Sequence, residues 1–300
     1  MKRDWIAIDW GTTNFRAFLM NNHHVVARIS APCGLLTIES GEFAATLHQQ
    51  LQPWLAGVGT VPVLMAGMVG SQQGWRNVPY VSLPASAQNL LAGIESLKTP
   101  WGSPAWIVPG LSGLSAWDQP DVMRGEEVQL LGLNVLHPAE EHYILLPGTH
   151  SKHARMKNGC ITAFSTLMTG ELFSVLSKHS LLGRALPPQR EDAASFLAGV
   201  RTAQNGVPFN HLIFTARTRR LSGEIAAEHV HHYLSGLLIG YELSILPEGQ
   251  QGWIVGSASL AGRYQLAASV IKTSLTVVDG DDCFLQGLAL LHSYLQDQTP

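Results

Sequence analysis

The sequence predicts a duplicated α/β fold of two domains, and three observations carry that expectation. Its 300 residues, 46% hydrophobic and 14% charged, suffice to bury a large core and to divide it between domains. A three-stranded meander at the N-terminal end recurs in the second half with its turns at matching spacing. Around both meanders, helical and extended patterns alternate, as α/β architecture requires.

In chain order, residues 5–9 (WIAID), 15–20 (FRAFLM) and 25–30 (VVARIS) read as strands from their apolar alternation. They are joined by a turn at 10–14 and by Asn21-Asn22, which tolerates the positive φ of a tight hairpin. Residues 41–55 form an amphipathic helix and 61–67 a buried strand. Residues 71–120, rich in Pro, Gly, Ser and Trp, are the least regular and read as a substrate-facing insertion. A helix over 125–137 is stopped by Pro138.

The meander then repeats as 143–146, 152–157 and 160–165, with turns at 147–151 and at Asn158-Gly159. In both copies a Gly-Thr turn precedes an Asn turn by ten residues, Gly11 to Asn21 and Gly148 to Asn158. Thr169 is read as the cap of a helix through Leu182 that Gly183 ends, and Ser222 as the cap of a long apolar helix toward Leu246. Residues 253–258 follow as a strand, and 283–296 as a closing helix begun at Asp281 or Asp282.

Composition excludes several classes. No apolar run is long enough for a membrane helix, and Asp4 and Asp9 interrupt the segment in which a signal peptide needs apolar residues, so a soluble cytoplasmic protein is expected. Cys33, Cys160 and Cys283 stand far apart, which suggests neither a disulfide framework nor a zinc ribbon. A net charge of −3 with scattered cations gives no footprint for nucleic acid or anionic lipid. The histidines His229 and His232 are spaced i, i+3 rather than the i, i+4 of a helical zinc pair, and read as surface or packing residues.

The Gly11-Thr12-Thr13-Asn14 turn offers backbone N–H groups and hydroxyls to one concavity, a nest suited to phosphate oxygens. Asp9 ends the preceding strand and points a second anion at the same place, which implies a hard cation such as Mg²⁺ between them. The second copy, Gly148-Thr149-His150-Ser151, has Leu146 and Pro147 in place of Asp9 and Trp10. One metal and two phosphate loops are therefore expected, the equipment of an ATP-dependent phosphotransferase. Neither a Walker A sequence nor a Gly-x-Gly-x-x-Gly fingerprint occurs in the strand-to-helix context it would need.

These stretches resemble the motifs of the actin-like ATPase superfamily, which includes sugar kinases, hexokinases and heat-shock chaperones. DWGTTNFR (9–16) is similar to its first phosphate motif, LPGTHSK (146–152) to the second and MAGMVGS (65–71) to the first connecting motif. WIVGSASLAG (253–262) is similar to the adenosine motif and FLQGLALL (284–291) to the second connecting helix. More narrowly, MRGEEVQLLG (123–132), LPGTHSKHA (146–154), FSTLMTGELFSVLSKHSLLG (164–183) and YLSGLLIGYEL (233–243) resemble the 2-dehydro-3-deoxygalactonokinase family. The resemblance implies two ribonuclease H-like domains with a nucleotide cleft between them. Residues 1–140 would carry the first phosphate motif and the insertion, 141–280 the second phosphate and adenosine motifs, and 281–300 the connecting helix. It also implies transfer of the ATP γ-phosphate to the 6-hydroxyl of 2-keto-3-deoxygalactonate in bacterial galactonate breakdown, with domain closure excluding water, and leaves the oligomeric state open to a homodimer.

Roles follow from the same resemblance. Related carbohydrate kinases begin a helix with Gly-Asp before the second phosphate motif; Gly125-Glu126 matches that pair, so Glu126 is the expected general base, with Glu127 the alternative. The competing explanation for both is a first-turn carboxylate on the helix dipole. Asp9 is assigned to Mg²⁺; Gly11, Thr12, Thr13, Gly148, Thr149 and His150 to phosphate; Gly256 and Ser257, with the loop to Gly262, to adenosine. The substrate would meet Asn14, Arg16, Lys152, Thr169, Gly170 and Glu171, and its carboxylate needs a cation for which Arg16, Lys152, Lys178 and Arg184 are candidates. Gly67 and Gly287 are expected to allow close approach at a hinge. A pantothenate or neutral-sugar kinase and a non-catalytic nucleotide-dependent scaffold are the alternatives.

Overall fold

The computed structural model describes residues 4–39 and 41–297. The first three residues, part of the segment read against a signal peptide, and residues 298–300 of the predicted connecting segment lie outside them. The first meander is β1 (Asp4–Trp10), β2 (Phe15–Asn21) and β3 (His24–Ala31), paired antiparallel with Asp9 opposite Arg16; β1 and β2 are buried almost throughout and only the edge strand β3 alternates. Asn22 turns the second hairpin at φ 53°. Helix α1 (Phe43–Val58) buries Phe43, Leu47 and Leu51, an i, i+4, i+8 stripe, and leads to the fully buried β4 (Val63–Gly67), parallel to β1.

The stretch read as an irregular insertion contains β5 (Val81–Ser82), α2 (Ala87–Ala92), β6 (Glu95–Lys98), β7 (Pro104–Ile107), β8 (Leu111–Leu114) and β9 (Pro120–Met123). Two of these strands belong to the main sheet, whose order is β3-β2-β1-β4-β7-β6, while β5-β8-β9 make a small separate sheet. The strands are too short for alternation to betray them. Next come α3 (Glu126–Leu136), β10 (Glu141–Leu146), β11 (Ser151–Lys157) and β12 (Cys160–Leu167), with Asn158 and Gly159 at φ 50° and 74° in the expected turn.

The remaining elements are α4 (Thr169–His179), α5 (Ala193–Ala203), α6 (Phe209–Leu221), α7 (Val230–Leu243), β13 (Gln251–Gly256), α8 (Ala258–Val270), β14 (Ser274–Asp279) and α9 (Gly280–Asp297). Several boundaries differ from expectation. Ser222 ends α6 rather than starting a helix, because Gly223 at φ 80° stops the chain there and α7 begins only at Val230. Met168 occupies the cap position of α4, and Thr169 is its first residue. The expected loop to Gly262 is the start of α8.

The second sheet runs β12-β11-β10-β13-β14, with β10, β13 and β14 parallel. Both sheets run third, second, first, fourth strand of the repeat and then a further parallel strand, β7 in the first and β14 in the second, with β6 added antiparallel at the edge of the first; this bears out the duplicated ribonuclease H-like reading. Among the described residues, those within 4–141, 155–164 and 280–297 form one compact unit, and 142–154 with 165–279 the other. In the first unit α3 lies against α9 so closely that a Cβ at Gly287 would sit 2.0 Å from the Val128 carbonyl oxygen. In the second, α7 is buried on nearly every side and packs on α5.

Candidate active site

In the first unit, Asp9, Gly11, Thr12, Thr13, Asn14 and Arg16 line one open cavity of about 500 Å³ with Ser30, Ala31 and Pro32. The turn is held by backbone alone: Gly11 N–H donates to the Asn14 carbonyl, and the carbonyls of Thr13, Gly11 and Thr12 accept from Gly34, Leu35 and Leu36. With its carbonyls used on that side, the turn's N–H edge is the one left for an anion. Gly34 makes this possible, since a Cβ there would lie 2.3 Å from the Thr13 carbonyl carbon. No pattern in the sequence marked that residue.

Asp9 is at the end of β1, where Arg16 donates to its Oδ2 from Nε at 3.1 Å and from Nη2 at 2.5 Å. Arg16 also pairs with Asp281 of α9, and this ion pair gives it a partner inside the protein rather than a free guanidinium for substrate. Burial pushes the Asp9 carboxyl above its usual range, with Arg16 opposing the shift. Gly67, at φ 96°, lies against the same strand end: its Cβ would stand 2.8 Å from the Trp10 carbonyl oxygen and 3.4 Å from Asp9 Oδ1. Gly125 packs on Gly67 in turn, 3.4 Å from a Cβ position to the Gly67 Cα. The Gly125-Glu126 corner is thereby brought beside Asp9 by two glycines in left-handed geometry.

Both glutamates reach back to the helix start, Glu126 Oε2 accepting from Arg124 N–H at 3.1 Å and Glu127 Oε2 from Gly125 N–H at 2.7 Å. Their surroundings separate them. Glu127 is fully buried; burial first, and then the neighbouring Glu126 charge, raise its pKa to about 8, against the weaker pull of hydrogen bonds from backbone N–H groups. Glu126 is half-buried. Arg124 anchors the corner by stacking on Tyr80 at 4.4 Å and donating to the Val78 carbonyl at 2.7 Å.

A folded-state pKa near 8 against an ordinary 4.5 means that the folded chain keeps a proton the unfolded chain gives up. That stabilisation is fully present below about pH 4.5 and is lost as pH rises through about 8, a change of roughly 4–5 kcal/mol at full ionisation. Glu127→Gln is therefore expected to match wild type in thermal unfolding at pH 5 and to be the more stable protein at pH 9. A stability gap that does not widen with pH would contradict a neutral Glu127.

The second unit holds Gly148, Thr149, Thr169 and Gly170 on a cavity of about 270 Å³, lined otherwise by Phe173, Ser235, Leu238, Ile239, Leu260, Arg263 and Tyr264. A Cβ at Gly170 would lie 2.3 Å from the Gly148 carbonyl oxygen, and Glu171 N–H donates to the Thr149 carbonyl, so the start of α4 is packed onto the loop. His150 and Glu171 meet at 2.5 Å on the exposed rim. A Cβ at Gly148 itself would enter open space. Gly256 ends β13 and Ser257 occupies the cap position of α8; a Cβ at Gly256 would meet only ordinary contacts. Lys152 is buried in β11 rather than presented on a surface.

Beneath the loop lies a residue the sequence reading missed. Glu242, the lone acid in the apolar α7, is 1% exposed and accepts from Ser151, His153 and Tyr264. A carboxylate inside an otherwise apolar helical run was the available signal, since such groups are buried only when fully paired.

Strand order and the paired Gly-Thr loops define the two-domain actin-like ATPase fold. The activator of 2-hydroxyisocaproyl-CoA dehydratase from Clostridium difficile, solved with bound ADPNP, shares that fold at a TM-score of 0.52 and 12% identity, covering 98% of this chain and 96% of that one. A family model described as 2-keto-3-deoxy-galactonokinase matches residues 9–291. The 2-dehydro-3-deoxygalactonokinase of Escherichia coli (strain K12) is 37% identical over 292 residues, covering 96% of this chain and 97% of the relative. The crystal structure of a Sinorhizobium meliloti protein described as a 2-dehydro-3-deoxygalactonokinase superposes with a TM-score of 0.87 at 31% identity, over 97% of this chain and 99% of that one. The chain belongs to the 2-keto-3-deoxy-galactonokinase family.

Proposed function

We infer that the protein transfers the γ-phosphate of ATP to the 6-hydroxyl of 2-dehydro-3-deoxy-D-galactonate, giving the 6-phosphate and ADP in cytoplasmic galactonate breakdown. The observation that carries the reading is the meeting, in one unit, of the Gly11–Asn14 turn, the Asp9 carboxylate and the Gly125-Glu126 corner. A phosphate nest, an acid for a cation and a carboxylate for a hydroxyl proton are what phosphoryl transfer asks of a protein.

Within this reading Asp9 holds Mg²⁺. Among the described residues no group of three or more His, Cys, Asp or Glu could form an all-protein metal cage. A single carboxylate nevertheless fits Mg²⁺, which keeps most of its waters and takes the rest of its shell from phosphate. Both Arg16 hydrogen bonds fall on Asp9 Oδ2, and Oδ1 lies toward Gly67. Once bound, the ion neutralises charge on the transferring group. The protein's own part is positioning: the turn N–H groups of Thr12 and Thr13 orient phosphate oxygens, Glu126 takes the 6-hydroxyl proton, Asn14 lies on the same cavity for the sugar acid, and Arg16, paired with Asp9 and Asp281, holds the metal-binding carboxylate in place.

Gly148, Thr149 and His150 take phosphate oxygens in the second unit, and the 270 Å³ cavity with Gly256 and Ser257 takes the nucleoside. Its wall of Phe173, Leu238, Ile239 and Leu260 suits the apolar faces of a base. Thr169 and Gly170, expected from the sequence on the substrate, line that same cavity and in this reading serve the nucleotide, with Glu171 paired to His150 at its rim and Lys152 buried in β11 behind the loop. Residues 1–140, 141–280 and 281–300 are the functional divisions.

Coupled ADP release measured over a panel of 2-keto-3-deoxy sugar acids, neutral sugars and pantothenate tests the whole reading. Turnover is expected with the keto-deoxy acid and to be at least about a hundredfold lower with neutral sugars, for which a buried or paired cation has no partner. Preference for a neutral sugar or pantothenate, or ATP binding without acceptor-dependent turnover, would overturn it.

A further inference from the structure

We propose that Glu242 is a positioning residue for the nucleotide, a single buried carboxylate that fixes the second phosphate loop to the helices around the neighbouring cavity. This rests on the reading of that cavity as the nucleoside site.

The wiring is specific. Ser151, last residue of the loop turn, donates to Glu242 Oε1 at 2.6 Å, and His153, two residues along β11, meets the same oxygen through Nε2 at 2.9 Å. Tyr264 of α8 donates to Oε2 at 2.6 Å, and the Thr169 hydroxyl at the start of α4 also hydrogen-bonds the carboxylate. Four donors from β11, α4 and α8 thus converge on a group carried by α7. Thr169 and Tyr264 line the cavity themselves.

A carboxylate suits this point because it only accepts, offering about four lone-pair positions to four donors. Burial alone would drive the group toward its neutral form; the His153 hydrogen bond and charge, with the hydroxyls of Ser151 and Thr169, outweigh it and hold the carboxyl below its usual range. An apolar residue would leave Ser151, His153, Thr169 and Tyr264 turned loose beneath the loop. Tyr143, which meets His153 Nδ1 at 3.0 Å, extends the chain of bonds one step further into the sheet. The loop ends at Ser151, and its bond to Glu242 ties that end down from below. The start of α4 is tied to the same carboxylate, so loop and helix share one anchor.

ADP binding by calorimetry, with steady-state kinetics, tests the assignment on Glu242→Gln and on Tyr264→Phe, which removes one donor and leaves the carboxylate and its other partners. Both variants are expected to bind ADP more weakly, Glu242→Gln by about tenfold or more. The KM for ATP should rise with it while the KM for the sugar acid stays within about twofold, a split that a general loss of stability would not produce. If wild type binds ADP and both folded variants bind it equally well, the positioning role is wrong and the nucleoside site stands. If Glu242→Gln does not fold, unchanged ADP binding by Tyr264→Phe overturns the proposal by itself. Wild type that binds no ADP overturns both.

Discussion

Glu126→Gln is expected to lower turnover by roughly 10²–10⁴, about 3–5 kcal/mol of barrier, with ADP affinity unchanged. The carboxylate is half-buried at the first turn of α3 and beside the Asp9 strand end through the Gly67 and Gly125 contact. Its neighbour is disqualified by its own environment. Glu127 is fully buried with a pKa near 8, so at neutral pH it keeps the proton that a base must lack. Glu127→Gln should therefore retain most turnover at pH 7. Both glutamates also cap the helix start, and a cap alone would make the two variants alike in rate and differ only in stability. Near-normal turnover of Glu126→Gln with intact ADP binding would remove it from the chemistry.

The parts of this arrangement that were legible in the sequence are those set by local rules. Short apolar runs between turn residues exposed β1 and β2, alternation exposed β3, and Asn22 and Asn158 take the positive φ expected of their turns. Short strands such as β6 and β7 escaped because a four-residue strand carries too little periodicity, and their place in the sheet depends on partners far away in the chain. The sequence offers Ser222 as the cap of the apolar helix that becomes α7; the break comes from Gly223, whose φ of 80° suits no other residue type as well.

Site residues divide the same way. Gly11, Thr12, Thr13 and Asn14 stand together in sequence and in space, so a motif finds them. Gly34 supports that turn, Arg124 holds the Gly125-Glu126 corner, and Glu242 with Tyr264 holds the second loop, each from a distant segment, and only folding shows what they touch. Arg16 illustrates the limit: as a sequence it is a free cation beside a motif, whereas in the fold Asp9 and Asp281 share its guanidinium. The two loops also differ in how they are supported. The first is held by backbone bonds to Gly34, Leu35 and Leu36, the second by Glu242 and the start of α4. Duplication supplied the hairpins, and a backbone solution holds one while a side-chain solution holds the other.

Asp9→Asn is expected to abolish the gain in ADP affinity that Mg²⁺ confers, lowering apparent Mg²⁺ affinity by about 10–100-fold and turnover with it. The second copy has Leu146 at the corresponding strand end, so no carboxylate from that loop substitutes for the lost charge. The asparagine keeps the shape and a carbonyl oxygen for Arg16, which separates the loss of charge from collapse of the Arg16 contact. Were Asp9 only the acceptor that restrains Arg16, the variant would bind ADP equally well with and without Mg²⁺ relative to wild type, and its defect would appear as lower thermal stability. Calorimetric titration of ADP at a series of Mg²⁺ concentrations distinguishes the two. A metal-binding Asp9 predicts curves for wild type and variant that coincide without Mg²⁺ and separate as it is added, whereas a restraint on Arg16 predicts curves that respond to Mg²⁺ identically.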